Sequence, residues 1–337
     1  MTHEAGFHVH FNRKAVPLRP AEVMAMIQIL LITWIACALL IIREHEFVRM
    51  IIYLSVYSLI SPVCFFLLAA PDIAMAGIVV NVFTTIIYII SIEKYYSYAE
   101  QEVNHRLDIK KIKKYALPVI FTLFLFVLFI WFIPKTGHLK DTLANSYLKD
   151  QYLSEFQKDF GGKNAVTAIY LGYRLYDTLF ETLMLMTAIA AIIHLSWYKD
   201  FFVSQEIYIG IQHSQIAADT IRIVCPILLL FSFYLMINGH ISPGGGFQGG
   251  IIAASFFMCR YMIHDIYDIP IGKVIKLEKF FYIGIVLLAL LFLSFTAHIY
   301  FPEFNIIYLV LMNLLIGFKV ACGFVIIFFR FIAFERR

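Results

Sequence analysis

Long, unbroken apolar runs limit what this chain can fold into more than any other feature of its sequence. Nine of them, each about 17–28 residues and so long enough to cross a hydrocarbon core, lie at approximately 21–42, 48–69, 72–92, 115–133, 173–197, 219–238, 247–264, 280–299 and 306–333. Apolar residues make up 61% of the 337 and charged residues only 15%. A soluble domain of this size leaves about a quarter of its unfolded surface wet, and that surface needs more polar residues than this chain has. Barrel strands would alternate apolar and polar residues, which these runs do not do. The sequence therefore predicts an all-α polytopic membrane protein with about nine transmembrane helices. A soluble enzyme and a disordered chain are excluded. The run at 219–238 is the least clean, because it contains Arg222 and Pro226. The first run follows a polar segment of about 20 residues and is too long for a signal-peptide core, so it reads as retained.

Charge sets the expected orientation. With nine spans, one side collects Arg43, Arg49, Lys94, Arg106, the Lys110–Lys114 cluster, Lys199, Arg260, Lys273, Lys276, Lys279, Arg330 and the terminal arginines. The positive-inside rule makes that side cytoplasmic, with the N-terminus outside, the C-terminus inside, and the chain in the cytoplasmic membrane. The net charge of +4 then follows from anchoring to anionic lipid and calls for no nucleic acid. The five cysteines are isolated in or beside apolar runs, without CxxC spacing, and read as buried small residues rather than cluster or zinc ligands. His3, His8 and His10 lie in a short polar tail, and loop 134–172 reads as a small outer cap.

Polar residues inside the runs need a reason, since a charge at the bilayer centre costs about 2.5–3.5 kcal/mol on insertion scales. Lys319 lies in the middle of the last run, suited either to a cation pathway or to pairing with a carboxylate on another helix. Asp177 and Glu181 are four residues apart, so one helical face presents both carboxylates, and burial would favour a held proton. Beside Arg174, Asp177 also reads as a helix-start charge, whereas Glu181 lies deeper. Asp72 follows Pro71 at a helix start, a common cap. His194 and His298 read as interfacial. The stretch Asn238-Gly-His240-Ile-Ser-Pro243-Gly244-Gly245-Gly246-Phe-Gln-Gly249-Gly250 cannot be an ordinary helix interior. Pro243 ends the sixth run, and Gly246 and Gly250 form a small-xxx-small step for close helix contact. Its free N–H groups could bind an anion, but the Lys-Ser/Thr ending of a phosphate loop is missing.

These residues carry a resemblance. Gly239 to Gly250 resembles the signature of the B subunit of Mrp-type multisubunit Na+/H+ antiporters, a subunit type also found in membrane-bound gas-evolving hydrogenases, and Asn313–Gly323 with Lys319 resembles its last helix. Tyr173 to Glu181 resembles a stretch at the C-terminal end of the Mrp A subunit, and Ala70-Pro71-Asp72 a helix start just upstream. The resemblance implies a fusion: a tail at 1–19, an A-like three-helix module at 20–110, an A-like two-helix module at 111–205, and a B-like four-helix module at 206–337. The sequence departs from the pattern at Ala76, Gly77 and Asn81, where Thr, then Gln or Glu, and often a deeper Glu are usual, so that a carboxylate expected in that helix is absent, and at Phe180, where a glycine is usual.

The resemblance implies an accessory membrane subunit of a Na+/H+-translocating complex. It would line part of the ion path with Glu181, Lys319, Asp177, Asp72 and His240 and join antiporter-like pump subunits laterally. No cofactor is expected in this chain, whose cargo would be Na+ and/or H+. Iron–sulfur or NiFe centres would sit only in partner subunits, if a peripheral redox arm drives the complex. Lipids are expected on the surface. Two rivals stand beside this reading: a purely structural scaffold, and a stand-alone secondary transporter.

Overall fold

The computed structural model of the chain describes residues 20–44, 46–96, 147–195, 215–263, 270–296 and 302–333, together with Val127. All regular structure among them is helical. The chain divides into two units, Met1–Ile89 and Ile90–Arg337.

In the first unit, α1 (Pro20–Arg43) and α2 (Phe47–Leu67) pack on each other, with Trp34 and Tyr57 rings 5.4 Å apart. Ala69 at φ 56 turns the chain after α2, and Pro71 opens α3 (Pro71–Tyr96), where its missing N–H costs nothing. Asp72 occupies the first turn of α3.

The second unit is organised around its last helix. Its elements are α4 (Tyr147–Phe160), the short α5 (Ala165–Ala168), a π-helical turn Ile169–Tyr173, α6 (Leu175–Leu195), α7 (Gln215–Asn238), α8 (Gly246–Ile263), α9 (Ile271–Thr296) and α10 (Pro302–Ala333). α10 touches α4, α6, α7, α8 and α9. Its span, Phe304–Phe331, is 56% buried, against at most 28% for any other described span. In lipid, helix association rests on close packing rather than on a hydrophobic drive, and glycines supply that approach here. A Cβ on Gly246 would stand 2.3 Å from the Asn313 carbonyl, and one on Gly250 2.5 Å from the Gly317 carbonyl. The step read from the sequence is therefore the α8–α10 contact.

Seven of the described helices are long and apolar enough to cross a membrane. The run at 115–133 lies outside the described residues except for Val127, and the run at 247–264 is the 18-residue α8, which falls short of that measure. The described part of loop 134–172, from Tyr147 onward, is α4, α5 and the π-helical turn. The polar tail and the Lys110–Lys114 cluster lie outside the described residues.

Candidate functional site

The deepest polar feature is an ion pair between neighbouring helices. Lys319 on α10 is 0% exposed and Glu278 on α9 is 2% exposed, and Lys319 Nζ lies 2.9 Å from Glu278 Oε1. Neither atom has a hydrogen bond to any other described group. The Tyr282 ring, one turn along α9, lies 5.9 Å from the ammonium. The sequence left the partner of Lys319 open, and the eighth run, started at 280, left Glu278 just outside it. Glu278 falls on the stripe Glu278, Tyr282, Ile285, Ala289, Phe292, whose last three members are at most 4% exposed, while Lys273, Lys276 and Lys279 point outward. The 3.5-residue spacing of that stripe was the available signal.

A second polar node surrounds the glycine-rich turn. Asn313, fully buried on α10, accepts from the Gly246 N–H at 3.0 Å and from the Tyr170 hydroxyl at 2.8 Å through Oδ1. Its Nδ2 has no hydrogen-bond partner among the described residues. Asn164 brackets the turn from the other side, donating through Nδ2 to the Gly239 and Ser242 carbonyls at 3.0 and 3.1 Å. It also caps α5 by accepting from Val166 N–H. Thr167 donates to the Gly239 carbonyl at 2.6 Å, and the His240 carbonyl accepts from the Lys163 and Asn164 N–H groups. The His240 ring sits 3.0 Å from the Ile237 carbonyl. Gly244, at φ +133, makes the bend that only glycine tolerates. Gly245, Gly246, Gly249 and Gly250 are buried, whereas Pro243 is exposed. The Gly246 N–H, a candidate anion donor in the sequence, is thus satisfied within the protein.

Asp177 and Glu181 do share a face of α6, but the expectation of burial fails: both are exposed. Arg174 pairs with Asp177 across the first turn, the arrangement of a helix-start charge pair. Thr178 on the opposite side donates to the Tyr170 carbonyl. Glu181 follows Leu175 by six residues, about 9 Å into the span. Neither Asp177 nor Glu181 nor His240 is bonded to Lys319. Outside the spans, Tyr173 donates to Asp159 at 2.5 Å and stacks on Tyr152. Burial, then the adjacent Asp159 carboxylate, holds its phenol proton on well above the usual tyrosine range.

In the first unit, Asn81 stands where the resemblance leads one to expect a carboxylate. It is 6% exposed and fully engaged: the Ser58 hydroxyl donates to its Oδ1, and its Nδ2 donates to the Ser55 carbonyl at 3.2 Å. Thr85 donates to Ser55 Oγ at 3.0 Å. Pro62 lies against Gly77 beside a cavity of about 370 Å³ whose floor includes Ser58, Ser61, Asn81 and Thr84. The seam is neutral throughout.

Comparison with known proteins agrees with these features. Residues 216–326 match a domain related to the MnhB subunit of Na+/H+ antiporter, and residues 32–96 match the D subunit of MBH. The two matched stretches together resemble an Mrp-type module. The antiporter subunit mnhA2 of Staphylococcus aureus (strain MRSA252) is 31% identical over 181 residues, 54% of this chain and 21% of that protein. Its counterpart in Staphylococcus saprophyticus is 29% identical over 199 residues, 58% of this chain and 23% of that protein. The module thus spans about a fifth of the length of the curated relatives it matches. The Mrp complex from Dietzia sp. DQ12-45-1b shares the fold at TM-score 0.62 and 18% identity, over 91% of this chain and 35% of that chain. The MnhB-related match contains the glycine-rich turn, Glu278 and Lys319, and the MBH match contains Asp72 and Asn81.

Proposed function

We propose that the chain is a multi-pass subunit of a multisubunit complex that translocates Na+ and H+ across the cytoplasmic membrane, with its C-terminus on the cytoplasmic side. The observation that carries this is Glu181, a carboxylate about 9 Å into an apolar span and on the exposed face of its helix. A charge so placed is costly in lipid and belongs against protein or water. Glu181, with Asp177 beside it, lines part of the ion path, and other Mrp-like subunits supply the rest, including antiporter-like pumps. Any iron–sulfur or NiFe chemistry belongs to a peripheral arm outside this chain. In the reconstituted complex, Glu181→Gln should abolish Na+-dependent proton movement while the subunits still co-purify. Undiminished transport in that variant removes Glu181 from the path.

A scaffold reading is favoured by two observations. The Lys319–Glu278 pair is closed within the chain, and Asn81 makes the α2–α3 seam neutral. On that reading Glu181→Gln leaves transport per assembled complex unchanged and lowers only the yield of complex.

A further inference from the structure

The outer face of α6 is not uniform. Asp177, Glu181, Met184, Ala188 and Ala191 are all exposed and recur at steps of four and three residues. This is the 3.5-residue repeat with which one helix seats another. The side of α6 that packs inside this chain is different: Leu175, Thr178, Thr182 and Ile189 are buried there, with Ile189 against Gly323 of α10. Beside the exposed stripe stand Tyr176 and Phe180, 62% and 67% exposed. Bulky aromatic side chains suit lipid, whereas small ones let two membrane helices approach closely. The stripe has small residues, Ala188 and Ala191, below its acids. Its charge is also unbalanced. Arg174 neutralises Asp177, and Glu181 has no ion pair or hydrogen bond among the described residues. Whatever covers the stripe must bring a compensating positive group to the depth of Glu181.

We propose that this stripe of α6 is a docking seam for a transmembrane helix of a neighbouring subunit, and that the helix carries a basic side chain opposite Glu181. Ala188 and Ala191 take the close backbone approach, Met184 fills the gap between contact levels, and the Arg174–Asp177 pair marks the end of the seam. Tyr176 and Phe180 remain lipid-facing. This inference rests on the reading of the chain as a subunit of a larger complex and adds which face meets a partner, and by what chemistry.

The test is photo-crosslinking in membranes that contain the whole complex. A thiol-reactive benzophenone is attached at A188C, A191C and, as a lipid-facing control, F180C, with the unsubstituted chain controlling for its native cysteines. The expected result is an adduct from both alanine positions to one helix of another membrane subunit, lost at the Phe180 position. The linked peptide should carry Lys, Arg or His within a turn of the Glu181 level. Adducts at Ala188 and Ala191 only with lipid, with another segment of this chain or with a second copy of it would overturn the seam. So would a linked helix with no basic residue at that level. If gentle extraction yields the chain alone, the subunit reading itself fails. If partners co-purify but Ala188 links to none of them, only the seam fails.

Discussion

Removing one member of the Lys319–Glu278 pair should do far more damage than removing both. The pair is shut off from water, at 0% and 2% exposure, with 2.9 Å between Nζ and Oε1. Glu278→Leu leaves an ammonium, and Lys319→Met a carboxylate, with no other ionic or hydrogen-bond partner among the described residues. Stranding one buried charge typically costs about 3–5 kcal/mol, whereas replacing both by apolar residues of similar volume is often neutral or stabilising. On the scale of about 2–4 °C per kcal/mol for a unit of this size, each single variant should lower the melting temperature of the purified complex by roughly 6–20 °C. The double variant should return to within a few degrees of the parent. Gel-filtration profiles after graded heating would read this. The same preparations, scored for Na+-dependent transport, separate two roles: a lock between helices predicts recovery of transport in the double variant, and a relay predicts none. Single variants as stable as the parent, or a double variant no better than either single one, would refute the reasoning.

Three further outcomes follow from the packing and the polar contacts. Gly246→Ala should push α8 off α10, because its Cβ would meet the Asn313 carbonyl at 2.3 Å, and the complex should assemble poorly; Gly272→Ala, with nothing within 4 Å, should assemble as the parent does. Asn164→Ala loses two donated bonds to the turn and one accepted bond. At about 0.5–1.5 kcal/mol each it should destabilise by roughly 2–4 kcal/mol, and protease should cut sooner within the 239–245 turn. Tyr173 holds its proton beyond the ordinary tyrosine range through burial and then Asp159. Its contribution to stability is therefore complete below the unfolded value of about 10 and is lost as pH rises past it. Tyr173→Phe should flatten the alkaline fall in stability and remove one late-titrating phenol from the absorbance curve.

Sequence alone was enough for some of this. Span length and the scarcity of charge require helices in a membrane, because lipid leaves no other way to satisfy the backbone. Pro71 and Pro243 mark helix boundaries by chemistry that needs no neighbour. The close step at Gly246 and Gly250 was legible from small residues four apart, though not which helix they would meet. Lys319 was legible as a buried charge from its place in an apolar run. Its counter-ion was not. Glu278 sits between Lys276 and Lys279, and linear composition makes the three look alike, although the helix turns the lysines outward and the glutamate in.

Asp177 and Glu181 were correctly placed on one face, since that follows from the helical repeat, but which way the face points depends on the packing of α6. Only the tertiary structure decided it, because the inner face of α6 is claimed by Thr178, Thr182 and Ile189 against its neighbours. The anchoring of the glycine-rich turn by Asn164 and Asn313 likewise joins residues more than 60 positions apart. Local sequence fixes what each segment is, because helical hydrogen bonds and proline geometry act over a few residues. Which charges meet, and which are left facing outward, depends on contacts between distant segments, and those exist only once the helices have packed.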